Sequence, residues 1–403
     1  MTVSILADMP ESSTIRRIVD GRLPRFIDEL ETLVNIDCGS YTPDGVNQVA
    51  DFMTDALRAL GADVRRVPHD PEPGGTQLGD LVIGTMEGDG PRLLLIGHMD
   101  TVFDEGTASR RPYRSDEGRA FGPGVTDMKA GLLAGLHAIA ALRETGVRAA
   151  LTFVANPDEE IGSPFSTPFI RELAASHEVA LVLECARANG DIVSARKGIA
   201  DYRMSLVGRA AHAGVEPEKG RSAILEAANQ VIALHALNGR WPSVTVNAGV
   251  IRGGTRPNVV AERCELETDV RAATVDAFNE AAAEVERLAG NPTVEGVVLD
   301  LERIAGHPPM EKSPASARLV ALATTIAGEL GFALTDAATG GASDANTTAA
   351  LGVPTLDGLG PVGGDDHSVD EWLDLASVAP RTASLAGLIG RIGEASGVDR
   401  GRR

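Results

Sequence analysis

Short apolar runs, each closed by a turn, punctuate the first half of the chain: RLLLIG at 92–97, ALTFVA at 150–155 and VALVLE at 179–184. Such uninterrupted runs predict strands of a parallel sheet covered on both faces, because a half-exposed strand alternates apolar and polar positions. Between them the period lengthens. RFIDELETLVNI, VNQVADFMTDALRAL and DMKAGLLAGLHAIAALRETG place apolar residues at helical spacing, the last through Leu132, Leu133, Leu136 and Ile139 with Gly146 as its stop. ADVRRV alternates, and LGDLVIGTM reads as a further strand. Alternating strands and helices predict an α/β fold built on a mixed, mostly parallel sheet.

From about residue 198 the order changes. DYRMSLVG, SVTVNAGVIRG, ERCELETDVRA and TVEGVVLDLER read as strands, with RSAILEAANQVIALHAL and DAFNEAAAEVERLAG as helices among them. That βαββαβ order is the ferredoxin-like split unit, and it predicts an inserted domain over 198–305. SARLVALATTIAGELG and SVAPRTASLAGLIGRI then resume the earlier patterning. The first domain is therefore expected to be discontinuous, over 1–197 and 306–403, with the tail GVDRGRR loosely held.

At 403 residues the chain exceeds what one hydrophobic core usually supports. Aromatic residues make up only 3%, so Ala, Val, Leu and Ile must fill the interior. The net charge of −20 argues against a nucleic-acid partner, which needs clustered Lys and Arg. No apolar run reaches the roughly 18–20 residues of a bilayer span, so no membrane is expected as a partner. The opening MTVSILADMPESSTIRRIVDGR lacks a basic segment followed by an apolar one, which leaves the cytoplasm as the expected location. Cys38, Cys185 and Cys264 are odd in number and widely spaced, and are expected as buried reduced thiols.

The candidate chemistry gathers beside the apolar runs. His98 and Asp100 follow LLLIG, Asp127 stands in GVTDMKAG, Glu159 and Glu160 in ANPDEEIG, Glu184 in LVLECA and His367 in GGDDHS. Alone, each is an unremarked loop histidine or surface acid; their recurrence after buried strands carries the assignment, since open α/β sheets collect chemistry beyond the carboxyl ends of their strands. Imidazole and carboxylate donors without thiolate pairs suit two Zn2+, with Mn2+ or Co2+ as substitutes. Two ions about 3.5–4 Å apart need a bridge that offers two oxygens. Asp127 is the candidate, on a loop where Gly122 and Gly124 permit close backbone approach; His98, Glu160, Glu184 and His367 share the remaining positions. Adjacent side chains diverge, so Glu160 can bind metal while Glu159 serves as general base. Asp100 is placed to accept the other ring N–H of His98 and fix its tautomer.

These residues resemble the family of co-catalytic zinc peptidases that includes aminoacylases and bacterial glutamate carboxypeptidase. The matching segments are GHMDTV, FGPGVTDMKAG, NPDEEIGS, LECA, GRAAHAGVEPEKGRSAI, GGTRPNVV, TGGASDANTTAALGVPTLDGLGP and GGDDHSVDE, in the family's order over nearly the whole chain. The glutamate carboxypeptidase branch is the nearer likeness. The resemblance implies that His98 and Glu184 complete one zinc and Glu160 and His367 the other, with a cis bond after Asp127. It implies that the inserted domain forms a homodimer, and that His212 reaches the partner subunit's site to stabilise the tetrahedral oxyanion. Asn258 and Arg271 match substrate-binding positions. One departure stands out: GHPPM places His307 where the carboxypeptidase relatives carry an arginine, and a histidine cannot offer the bidentate fork that grips a carboxylate.

The expectation is a dinuclear zinc hydrolase that cleaves an amide bond of a small peptide and releases a C-terminal amino acid. The rival closest in chemistry is an N-acyl amino acid amidohydrolase of the aminoacylase or deacetylase kind. A phosphodiesterase would recruit cationic clamps, and Lys129 is the main cation near the motifs. A non-catalytic metal-binding dimer would have lost a ligand or the base, and the sequence retains all of them.

Overall fold

The computed structural model describes residues 10–392 of the protein, so the tail GVDRGRR lies outside the described residues. Contacts divide the chain into two compact units.

The first unit comprises residues up to Ser194, Lys312–Ala338 and the chain from Thr347 onward. Its central sheet runs Asp63–Val67, Leu81–Met86, Ala149–Asn156, Asp89–His98, Val179–Val182 and Thr355–Leu356 in spatial order. The first two pairings are antiparallel and the last three parallel. The three expected apolar runs are thus neighbours in the sheet, with Ile96 opposite both Val154 and Val182. Helices Ser12–Val34, Ala130–Glu144 and Leu375–Ile392 pack on one another and share one core with the sheet.

The first helix begins well before RFIDELETLVNI and continues through Pro24, because Ile15 and Val19 extend the buried stripe of Phe26, Leu30 and Leu33. The helix over DMKAGLLAGLHAIAALRETG is buried on nearly every side, as an all-round apolar helix must be. Val125–Glu144 has the length and hydropathy to cross a bilayer, yet its apolar window is 94% buried inside the protein. Gly131 is where this helix meets the sheet: a Cβ there would lie 1.9 Å from the Leu183 carbonyl oxygen. The helix consequently backs directly onto the strand end that leads to Glu184.

The second unit comprises Ala195–Glu311 and Thr339–Asn346. Its four antiparallel strands stand in the order Thr245–Gly253, Arg263–Ala272, Gly198–Val207 and Val298–His307, joined by helices Ala223–His235 and Val275–Ala289. In chain order this is the βαββαβ pattern of a ferredoxin-like unit. Ser222 and Thr274 cap the two helices by accepting the amides of Leu225 and Ala277. Tyr202, Met204, Leu206, Leu266, Val270 and Phe278 build a separate core. The segment 339–346 joins this unit through several hydrogen bonds: Asn346 donates its side-chain amide to the carbonyls of Lys197 and Pro308, at 3.1 and 2.8 Å, and Arg196 and Arg271 donate to the carbonyls of Gly341 and Gly340.

Candidate metal centre

Parallel pairing aligns the carboxyl ends of the three central strands. His98 ends its strand opposite Asn156, so the turn Glu159–Ile161 emerges beside it. Glu184 follows Val179–Val182 on the other side. Asp127 comes from an irregular turn, Val125–Lys129, entered through Gly124 in the left-handed conformation. A side chain at Gly124 would place its Cβ 2.6 Å from Thr101 Cγ2, which is why this turn needs glycine. The Asp127–Met128 peptide bond is cis, as the resemblance implies. His367 sits in the loop between the short strands Gly363–Gly364 and Trp372–Asp374.

Two donor triads result, and Asp127 belongs to both. His98 Nε2 lies 3.1 Å from Asp127 Oδ1 and 3.5 Å from Glu184 Oε1. His367 Nε2 lies 3.1 Å from Asp127 Oδ2 and 3.1 Å from Glu160 Oε2. In each triad the donor atoms lie within 4.8 Å of one another. The His98 triad is deeply buried, whereas the His367 side chain is 54% exposed and forms the open side.

Crowding the carboxylates and imidazoles together moves their pKa values away from the ordinary ones. Burial and the neighbouring Asp127 and Asp357 carboxylates push Glu184 up to about 8. Burial, to which repulsion from Asp127 and Asp100 adds, also raises Glu160. Hydrogen bonds to Asp127 and Glu160 push His367 up to about 11. Burial disfavours the His98 imidazolium, yet Glu184, Asp100 and Asp127 together hold it well above its ordinary value. Asp127, despite burial, is lowered by the two imidazoles that flank it.

Asp100 takes a broader part than its expected one. The nearest partner of His98 Nδ1 is the Asp100 backbone carbonyl at 3.0 Å, with the Asp100 carboxylate at 3.4 Å. That fully buried carboxylate accepts the Ser40 hydroxyl at 2.6 Å and the amides of Glu159 and Glu160 at 3.1 and 3.2 Å. It thereby fixes the turn that presents Glu159, which is half-buried, beside the strand that presents His98. Glu371 escaped the sequence reading altogether. It is 1% exposed and accepts the amides of Gly124, Thr126 and Asp127, and burial pushes it up to about 7.

Lys129 is a structural cation: its buried ammonium donates to the carbonyls of Ile36 and Pro123. That use removes the phosphate clamp a phosphodiesterase would recruit. The three cysteines are free and buried, and Cys185, beside Glu184, is pushed up by burial, which disfavours a thiolate ligand.

His212, Asn258, Arg271 and His307 belong to the second unit. His212 and Asn258 are exposed, and the His212 ring nitrogen Nδ1 accepts the Gly214 amide at 3.1 Å. Arg271 is held in its sheet by Asp269 at 3.0 Å and by the Gly340 carbonyl at 2.9 Å. His307, half-buried at the end of its strand, is lowered by burial and by Arg303 and is therefore neutral at pH 7.

Comparison with known proteins agrees with this geometry. The family model described as peptidase family M20/M25/M40 matches residues 94–391. Carboxypeptidase G2 from Pseudomonas sp. strain RS-16 is 31% identical over 376 residues, which is 92% of this chain and 90% of that protein. Among solved structures, aminopeptidase PepT from Bacillus cereus superposes with a TM-score of 0.76 at 23% identity, covering 92% of this chain and 98% of its own. An M20 family metallo-carboxypeptidase from Sulfolobus solfataricus superposes with a TM-score of 0.70 at 14% identity, covering 92% and 99%.

Proposed function

Because the chain belongs to peptidase family M20/M25/M40, and with it is a hydrolase of the metallopeptidase kind, we propose that it is a dinuclear zinc carboxypeptidase. It releases a C-terminal amino acid by cutting an amide bond of a small peptide or an N-acyl amino acid. The observation that supports this reading is the sharing of Asp127 between two donor triads. The donors are imidazole nitrogen and carboxylate oxygen, a set that fits Zn2+, Mn2+ or Co2+. Asp127, His98 and Glu184 would hold one ion, and Asp127, Glu160 and His367 the second.

When bound, such a pair acidifies water and polarises a carbonyl group. The protein's own side chains do the rest. Glu159 accepts the proton of the attacking water on its carboxylate and returns it to the departing nitrogen. Asp100 holds the amide of Glu159 so that this carboxylate keeps its station. His212 of the partner subunit would donate to the oxyanion. Asn258 and Arg271 would hold the substrate. His307, neutral at pH 7, offers one hydrogen bond where an arginine would offer a charged fork. A strong preference for a C-terminal glutamate is therefore not expected, which keeps aminoacylase-like substrates within the reading.

A homodimer through the second unit is part of this proposal. Its helix Ala223–His235 and its edge strand Thr245–Gly253 expose Leu225, Ile232 and Ile251 at 54, 71 and 51%, large apolar side chains that a partner would cover. A cytoplasmic location accords with three free buried thiols. The test is a panel of dipeptides and N-acyl amino acids, assayed with Zn2+ or Mn2+ and with chelator. Metal-dependent release of a free C-terminal amino acid is expected; a metal-loaded protein inert toward the whole panel would overturn the proposal.

A further inference from the structure

The loop that carries His367 runs directly into Glu371, and the side chain of Glu371 reaches the backbone of another segment. Its Oε1 accepts the amides of Thr126 and Asp127 at 2.9 and 3.1 Å, and its Oε2 accepts the amide of Gly124 at 2.9 Å. The next residues continue the link, since Trp372 pairs with Phe121 and Leu373 with Ala120 in an antiparallel ladder. Glu371 therefore sits where the segment carrying His367 meets the segment carrying Asp127. Three amides converging on one point form an anion-binding concavity, and a carboxylate fills it with acceptors alone. A glutamine would set its own N–H2 against one of those amides. The residue is 1% exposed, so its own carboxylate and not bulk solvent satisfies the three amides.

We propose that Glu371 is a positioning residue for the shared carboxylate: by holding the backbone of the Gly124–Asp127 turn, it aims both oxygens of Asp127 at the two triads at once. The idea rests on the dinuclear reading above. It also has a specific signature. Damage confined to the His367 loop would weaken only the ion held by Asp127, Glu160 and His367, whereas misplacing Asp127 weakens both.

The experiment compares wild-type protein with Glu371→Gln and Glu371→Asp. Zinc stoichiometry and affinity are read by chelator competition, coordination geometry by the visible absorption of the cobalt-loaded protein, and folding by thermal unfolding of the metal-free protein. Orienting residues of this kind typically change metal affinity by about 10–100-fold, and a loss in that range for both ions is expected, with an altered cobalt spectrum. The shorter Glu371→Asp retains the charge and answers the question if Glu371→Gln fails to fold. A purely structural role would lower the unfolding temperature and leave affinity and spectrum unchanged, and that result would overturn the assignment of Glu371 alone. Wild-type protein that binds fewer than two ions would overturn the dinuclear reading, and this inference with it.

Discussion

His367 Nε2 lies 3.1 Å from Asp127 Oδ2, while the opposite oxygen of the same carboxylate lies 3.1 Å from His98 Nε2. Replacing Asp127 with Ala should therefore remove both ions, and replacing His367 with Ala only one. Metal analysis after exhaustive dialysis distinguishes the two variants. Equal retention of metal by both would contradict a shared ligand.

Glu159→Ala should lower turnover by about 10²–10⁴-fold, the usual contribution of a positioned proton carrier, with metal content unchanged. Glu160→Ala should instead lose metal. A Glu159→Ala enzyme with near wild-type turnover would remove Glu159 from the chemistry.

Metal affinity should climb as pH rises. His367 is raised to about 11 and Glu184 to about 8, and His98 is raised as well, so in the absence of metal these groups hold protons at pH 7. Ligation requires neutral imidazoles and ionised carboxylates, so binding expels those protons and becomes easier as they become fewer. Zinc titrations between pH 6 and about 9, in buffers of different ionisation enthalpy, would report proton release. An affinity indifferent to pH would show that the triads are not the binding site.

Arg381→Met should destabilise the fold without changing the donor set. The buried guanidinium donates to the carbonyls of Gly360, Gly190 and Gly358, and Gly360 in turn donates to the Glu184 carbonyl at 2.8 Å. Stranding such acceptors costs about 1–3 kcal/mol each before relaxation, so a loss of about 3 kcal/mol in denaturant unfolding is expected. A variant as stable as wild type would show that water or a backbone shift replaces the guanidinium.

Much of this arrangement was legible in the residues themselves. The central strands announce themselves by unbroken apolar runs, and that pattern places His98, Glu160 and Glu184 just after strands, while the pairing that makes those strands neighbours comes from the fold. Three features stayed hidden for physical reasons. Glu371 lies in the acidic run DDHSVDE, which resembles a solvated loop; only its pairing with a distant strand buries it, and local pattern carries no information about that. Asp100 follows His98 closely enough to suggest a carboxylate–imidazole bond, but its backbone carbonyl reaches the ring more closely and leaves the carboxylate to Ser40 and two amides. The segment 339–346 joins the second unit through long-range hydrogen bonds, from Asn346 to the Lys197 and Pro308 carbonyls and from Arg196, Lys197 and Arg271 to its own carbonyls, which local pattern does not reveal.

The division of the chain also sets an order of events during synthesis. His98, Asp127, Glu160 and Glu184 leave the ribosome before Ala195–Glu311, and His367 only after it. Since domains generally fold as units, and the first unit draws Lys312–Ala338 and the chain from Thr347 onward into its core, neither triad is assembled until that last stretch has been made. A product truncated before His367 would lack Glu371 and the helix Leu375–Ile392 as well as one donor, so it is expected to order neither triad.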